Sequence, residues 1–379
     1  MIGRIALGGG IAAAAAGGLG WVIARRLTAT AGPRTFDLPI RGFEHDDNGD
    51  LIVLDRTEQT TAPGIYNLWF ETGGWVQFST EIVDHGPARV ARRITDTAPG
   101  LTPKAGDRAS WSGIYYATPA DAGLHARDIA ISTPVGPCPA WCIDGDPSTW
   151  AIHIHGLGST RAGTLRGVRV ASKLGYTSLV VSYRNTAEGP RFGNGRSTLG
   201  DTESSDVDEG IGYAVRRGAR QIVLFGWSMG AAIALQLADR PRHRGLIAAL
   251  VLDSPVLDWT EVIKTNCARN GLPAAAGHLA IPWLTLDPLA RTVGLSGPIP
   301  LRSFDWTARA ADLTTPTLIL HGTRDDSVPI RLSQALRDAR PDIVELEAFD
   351  ASHTLCWNTD PDRWQKAVTT WLSARRDQP

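Results

Sequence analysis

Ser228, Asp325 and His353 follow one another along this chain in an order that suits nucleophilic acyl transfer. Ser228 lies in Gly226-Trp227-Ser228-Met229-Gly230, after the apolar run from Gln221 to Phe225 and before the helix-forming stretch from Ala231 to Ala238. A strand, a sharp turn and a helix form the setting in which a Gly-x-Ser-x-Gly turn lifts a serine hydroxyl to the carboxyl edge of a parallel sheet. Small residues at 226, 230, 231 and 232 leave room for the strand and helix to meet. A hydroxyl is a weak nucleophile until a base takes its proton, and the base needs a fixed carboxylate behind it. The expected base is His353, in Phe349-Asp350-Ala351-Ser352-His353-Thr354, and the expected acid is Asp325, within His321 to Pro329. Each follows a short apolar run, so each is expected in a loop at the carboxyl end of a strand, where α/β sheets hold ligands. Asp326 and Asp253 are the alternative acids. The oxyanion of an acyl intermediate needs two N–H donors. Those are expected from the backbones of Met229, next to the nucleophile, and Leu157, after His155-Gly156. Arg161, in the same loop, reads as a solvent-facing residue at a helix start, with contact to a substrate anion as the alternative. His153, His155 and His321 read as structural, since they lie in or beside buried strands.

These residues must be positioned by an α/β unit from Arg127 onward. Strands are expected over 128–132, 140–143, 150–154, 177–183, 221–225, 246–252, 317–320 and 344–346, with helices over 163–174 and 201–217 and after Ser228. Strands alternating with helices imply a mostly parallel sheet covered on both faces. The segment 255–310 breaks that rhythm with six prolines and three tryptophans, and its place after the strand that follows the serine helix suits a lid.

Before this unit lie two other regions. Residues 34–126 carry short alternating runs and read as a small β-rich region, with Gly73-Gly74 as a hairpin signal between 65–70 and 75–82. His45-Asp46-Asp47-Asn48 in it reads as a solvated turn rather than a metal site. Residues 1–33 hold an uncharged stretch, Ile5 to Ala24, flanked by Arg4 and Arg25-Arg26. About 20 apolar residues suffice to span a bilayer, so this segment is expected to be a transmembrane helix anchoring the protein to a lipid bilayer, with a cleaved signal as the alternative. Deletion of the residues before Thr28 would then release an active enzyme.

Composition narrows the partners. A net charge of −1 gives no signature of nucleic-acid binding. Four cysteines, Cys138, Cys142, Cys267 and Cys356, are too few for a disulfide scaffold and read as small thiols, with a Cys138–Cys142 bridge as the alternative. No cofactor or metal is expected, and the partner is a small acyl substrate.

Taken together, His155-Gly156, the Gly226 to Gly230 turn, the His321 to Pro329 segment and His353 resemble the α/β-hydrolase superfamily. Tyr183-Arg184 and Leu252-Asp253-Ser254-Pro255 look most like its serine aminopeptidase/prolyl-oligopeptidase-like and membrane-anchored monoacylglycerol-hydrolase-like branches. The resemblance covers about 127–372 and implies hydrolysis through an acyl-enzyme without a cofactor. Repeated propeller blades are absent from 34–126, which sets the chain apart from a true prolyl oligopeptidase. The expected function is a serine hydrolase acting on a carboxylic ester. A peptidase or amidase with the same triad, and a non-catalytic membrane-tethered binding protein, are the competing readings.

Overall fold

The computed structural model describes the backbone of residues 2–30 and 32–376 and the side chains of residues 15–30 and 32–375. Ile2–Leu27 form one long helix, α1. The expected bilayer span falls on it, and the part before residue 15 lies outside the described side chains. Among the described residues no helix is long and apolar enough to cross a membrane, which corrects the expectation of a single-pass anchor. The second half of α1 packs on protein instead. A Cβ at Gly20 would stand 2.1 Å from the carbonyl oxygen of Leu279, so only glycine permits this approach. Ala24 and Thr28 are fully buried. Trp21 Nε1 donates to the carbonyl of Thr292 and Arg25 Nη1 to that of Val293. Gly20 and Ala24, small residues that add little to a membrane span, let this half close on a protein surface.

The β-rich stretch forms one antiparallel sheet. Its strands are β1 (Leu38–Pro39), β2 (Gly42–Asp46), β3 (Gly49–Asp55), β4 (Tyr66–Phe70), β5 (Trp75–Asp84), β6 (Arg89–Thr97) and β7 (Arg108–Ser112). Their order is β1-β7-β4-β5-β6-β3-β2. The hairpin at Gly73-Gly74 pairs Tyr66 with Phe78 and Trp69 with Trp75, and both glycines have positive φ, 96° and 80°. Alternating side chains such as Ile52, Leu54, Leu68, Val76 and Phe78 build its own core. The guanidinium of Arg92 is buried there and donates to the carbonyls of Thr60, Ala62, Gly64 and Ser79. It binds the 60–64 loop to the sheet without a carboxylate. In the acidic turn, Asp46 pairs with Arg93 and accepts from the Asn48 N–H.

The second sheet has eight strands. They are β8 (Arg127–Thr133), β9 (Gly136–Ile143), β10 (Asp146–Ile154), β11 (Tyr176–Val181), β12 (Gln221–Trp227), β13 (Ile247–Asp253), β14 (Thr317–Gly322) and β15 (Val344–Phe349). The order is β15-β14-β13-β12-β10-β11-β9-β8. The six strands from β15 to β11 run parallel, and β9 and β8 close the edge antiparallel. The central strands are near-continuous apolar runs because both of their faces are covered. Helices α2 (Leu165–Lys173), α3 (Glu203–Arg216) and α4 (Met229–Asp239) follow β10, β11 and β12. Apolar residues of α3 and α4 pack into one face and those of α2 into the other. Between β13 and β14 the chain departs into a helical insertion with α5 (Trp259–Arg269), α6 (Ile281–Thr285) and α7 (Asp287–Val293). After β14 come α8 (Arg331–Ala339), α9 (Cys356–Thr359) and α10 (Pro361–Arg376).

The two sheets meet at α9, three residues past His353. The fully buried Asn358 donates from Nδ2 to the carbonyls of Ile65 and Gly113 and accepts from Arg166 Nη1 at 2.8 Å. Its own carbonyl accepts from the Ile65 N–H. Tyr115 and Tyr116 pack their rings against Trp357. The antiparallel sheet therefore braces the element that follows the histidine loop. Removing one amide orphans several buried partners at once, and each buried orphan costs about 1–3 kcal/mol. Asn358→Ala is expected to lower unfolding free energy by roughly 3 kcal/mol, measured by urea denaturation. A change under about 0.5 kcal/mol, the size usual for surface substitutions, would contradict this bracing.

Candidate active site

Two close approaches fix the turn at Ser228. A Cβ at Gly226 would lie 2.5 Å from Ala231 Cα, and one at Gly230 would lie 2.1 Å from the Ile154 carbonyl oxygen. Glycine at both positions lets β12, α4 and β10 converge. Ser228 itself sits at φ 53°, a region costly for a residue with a Cβ, by about 1–3 kcal/mol. Its N–H donates to the Asp253 carbonyl at 2.9 Å, and its carbonyl accepts from the Val256 N–H. The surrounding β-strand ends thus hold the strained turn in place.

From this turn a hydrogen-bonded line runs outward. Ser228 Oγ lies 2.9 Å from His353 Nε2, and His353 Nδ1 lies 2.7 Å from Asp325 Oδ2. The carboxylate can only accept, so Nδ1 carries the proton and Nε2 is free to accept from the serine. The Asp325 side chain is fully buried, while that of His353 is 25% exposed. Burial works to raise the Asp325 carboxyl. Hydrogen bonds from His321 and His353, helped by the Val328 N–H, outweigh it and hold the group well below the usual carboxylate range. The other oxygen accepts from the N–H groups of Ser327 and Val328 at 3.0 and 2.7 Å. Asp326 points away, paired with Arg269. Asp253 is buried and accepts from Trp364 Nε1, with no hydrogen bond to His353.

His321 plays a larger part than its place in a strand suggested. Its Nε2 lies 2.9 Å from the Val328 carbonyl and 3.3 Å from Asp325 Oδ2. Both are acceptors, so this nitrogen is protonated, and Nδ1 accepts from the Ser333 hydroxyl at 2.8 Å. His321 is thus a second, fully buried donor to Asp325. Ser254, also at positive φ, accepts from the Thr354 N–H at 3.0 Å and pins the backbone just past His353. The Leu252 to Pro255 stretch gave the only sequence hint of it.

Met229 and Leu157 lie on either side of Ser228. Met229 opens α4, so its N–H has no carbonyl one turn earlier within the helix. Leu157 follows Gly156, where a Cβ would come within 3.1 Å of Ser228 Cβ. Tyr183 OH donates to the carbonyl of His155 at 2.8 Å and approaches that of Gly156 at 3.3 Å, and His155 Nδ1 donates to the Gly156 carbonyl at 2.9 Å. A trans peptide directs its C=O and N–H oppositely, so tying back the Gly156 carbonyl turns the Leu157 N–H the other way. The Tyr183 ring also stacks on His155 at 4.4 Å. Beside it, Arg184 makes a buried two-point pair with Asp206 of α3 at 2.7 and 2.6 Å. Arg161 is not solvent-facing: it is buried, pairs with Glu188 and lies over the Trp141 ring.

All four cysteines are free and buried, so no Cys138–Cys142 bridge forms. Among the described residues no group of three or more His, Cys, Asp or Glu is arranged to hold a metal.

The profile of the alpha/beta hydrolase family matches residues 151–367, more than half of the chain, and the chain belongs to that family. Residues 40–112 match a family described as a domain of unknown function (DUF8805). Over 202 residues the chain is 26% identical to the lysophosphatidylserine lipase ABHD12 of Danio rerio, covering 49% of this chain and 46% of that one. Over 172 residues it is 30% identical to an uncharacterized protein of Mycobacterium tuberculosis, covering 43% and 47%. The chain thus spans about half the length of these curated relatives. The solved structure of the Pyrococcus furiosus esterase Pf2001 superposes with a TM-score of 0.53 at 21% identity, covering 68% of this chain and 94% of that one. That likeness is one of fold.

His153 of β10 and His155, just past its end, make the site's floor sensitive to acid. Burial lowers His153 from its ordinary 6.5 to about 3 and His155 to about 4. His153 Nδ1 and His155 Nε2 have no hydrogen-bond partner, so protonation would bury an unpaired donor. The unfolded chain takes up these protons below about 6.5 and the folded chain does not, so stability falls as pH drops from there towards 4. The urea midpoint is expected to be lower at pH 4.5 than at pH 7.5. His153→Phe, which suits the stack on Phe225, should shrink that difference. An equal pH dependence in the variant would remove His153 as a cause.

Proposed function

We propose that the chain is a serine hydrolase that cleaves carboxylic esters through an acyl-enzyme. The observation that carries this reading is the hydrogen-bonded line from Ser228 through His353 to Asp325, in a member of the alpha/beta hydrolase family. In this reading His353 Nε2 takes the Ser228 proton as Oγ attacks the ester carbonyl. The imidazolium so formed keeps its Nδ1–H on Asp325, whose charge the buried donors preserve. The carbonyl oxygen becomes an oxyanion, stabilised by the N–H groups of Met229 and Leu157. Collapse expels the alcohol, which takes the proton back from His353. Water then attacks the acyl-serine by the same route, and the acid is released with Ser228 restored. No cofactor is required. Residues 255–310 act as the cap over the serine, and Tyr183 is a positioning residue for the oxyanion loop.

An ester rather than an amide substrate is favoured by the apolar surroundings of Ser228, among them Val256, Trp259, Val262 and Ile263, which offer few donors to a peptide backbone. The activity of the similar lysophosphatidylserine lipase points the same way.

Hydrolysis of p-nitrophenyl acetate tests the roles. Ser228→Ala is expected to abolish turnover with the fold intact. Asp325→Asn should lower kcat roughly a thousandfold or more by setting the wrong imidazole tautomer, while Asp326→Asn stays within about twofold, as for a solvent-exposed side chain. Tyr183→Phe should lower kcat by about tenfold with KM little changed, since a misaimed oxyanion donor acts on the transition state. A larger loss in Asp326→Asn would reassign the acid, and retained turnover in Ser228→Ala would end the proposal.

A further inference from the structure

The cavity beside Ser228 has an unexpected wall. It has a volume of about 650 Å³ and is bounded by Ser228 and His353, by Trp259, Val262 and Ile263 of the helical insertion, and by Leu19, Val22 and Ile23 of α1. That volume is within the range of about 300–1,000 Å³ usual for small-molecule sites. The wall is mostly apolar. Its amides are turned away: Asn266 Nδ2 donates to the carbonyls of Val262 and Ser327, and Asn270 Nδ2 to that of Asn266. Among the described lining residues Arg26 is the one charged side chain. Trp259 is held in place by its Nε1–H, which donates to the Leu199 carbonyl. Val22 is a large apolar side chain left 41% exposed, although its helix is locked onto the insertion on either side of it, through Gly20 and Trp21 and through Ala24 and Arg25. An apolar group held rigidly against an open apolar cavity gains when another apolar group covers it, by about 25 cal/mol per Å².

We propose that α1 is part of the substrate-binding machinery: Leu19, Val22 and Ile23 form the wall against which the acyl chain of the ester lies, so the enzyme prefers esters with acyl chains longer than acetyl. The proposal rests on the hydrolase reading above and adds its substrate class. It also reverses what removal of the segment should do. Truncation before Thr28 would strip one wall from the cavity and expose the part of the insertion on which α1 packs, so it would not yield an unaltered enzyme.

Substitutions at Val22 test it, because this exposed position tolerates change. Val22→Trp fills the cavity and Val22→Asp charges its wall. In both, kcat/KM for p-nitrophenyl octanoate is expected to fall at least about tenfold relative to that for p-nitrophenyl acetate, as several methylenes lose their apolar contact. Acetyl does not reach the wall, so the acetate rate should fall by much less than the octanoate rate, and the ratio of the two is the readout. An unchanged octanoate-to-acetate ratio in a folded Val22→Asp would overturn the proposal. A second arm is independent of chemistry: calorimetric binding of dodecanoate to Ser228→Ala, with and without Val22→Asp. Binding that Val22→Asp weakens at least about tenfold supports the wall. Equal binding, or none in either protein, overturns it. Absence of any Ser228-dependent turnover would defeat the hydrolase reading alone, and the binding arm would still decide the role of α1.

Discussion

A serine at φ 53° has to be kept there by its neighbours. The turn after β12 survives because three backbones crowd it: Ala231 behind Gly226, the Ile154 and His155 carbonyls against Gly230, and the Asp253 carbonyl on the Ser228 N–H. Each of these comes from a different segment of the parallel sheet or its helix. A misregistered strand would release the strain and withdraw the hydroxyl. The near-continuous burial of β10, β12, β13 and β14 therefore has a consequence beyond stability, since close packing leaves the turn no alternative position.

The acid is the second constraint. A carboxylate removed from water is costly unless its oxygens are satisfied. Asp325 has two N–H donors on one oxygen and two imidazoles near the other. This lets it stay charged in a dry position and fixes the tautomer of His353. The loop carrying His353 is held from behind by Ser254 and continues into α9, where Asn358 ties the chain to the antiparallel sheet. That sheet brings no side chain to the serine, yet it is hydrogen-bonded to the element beside the histidine.

The sequence made the long periodic features visible and hid the contacts between them. Gly-Trp-Ser-Met-Gly between an apolar run and an alanine-rich stretch reads as a strand, turn and helix because each local preference agrees with the next. The same holds for the apolar runs before Asp325 and His353. What could not be read is which distant groups meet. His321 is 4 residues from Asp325 and looked like a strand residue, but the turn through Val328 folds its ring back onto the carboxylate. Tyr183 ends a strand, and only the sheet order, with β11 beside β10, brings its hydroxyl to the His155 and Gly156 carbonyls. Arg161 looked exposed because its partner Glu188 is 27 residues away. Helix α1 misled for a physical reason: an apolar stretch rich in glycine and alanine serves equally to cross lipid or to approach a protein backbone closely. The pairing of Gly20 with Leu279, far along the chain, decides between the two for its described half.

The account stands on Ser228 being an activated nucleophile. Its most direct test is reaction of the intact protein with a fluorophosphonate, followed by mass-spectrometric mapping of the adduct. The account predicts one covalent adduct, on the peptide carrying Ser228, and its loss in His353→Ala, which keeps the serine but removes its base. A folded protein that gives no adduct, or an adduct on another serine, would contradict it.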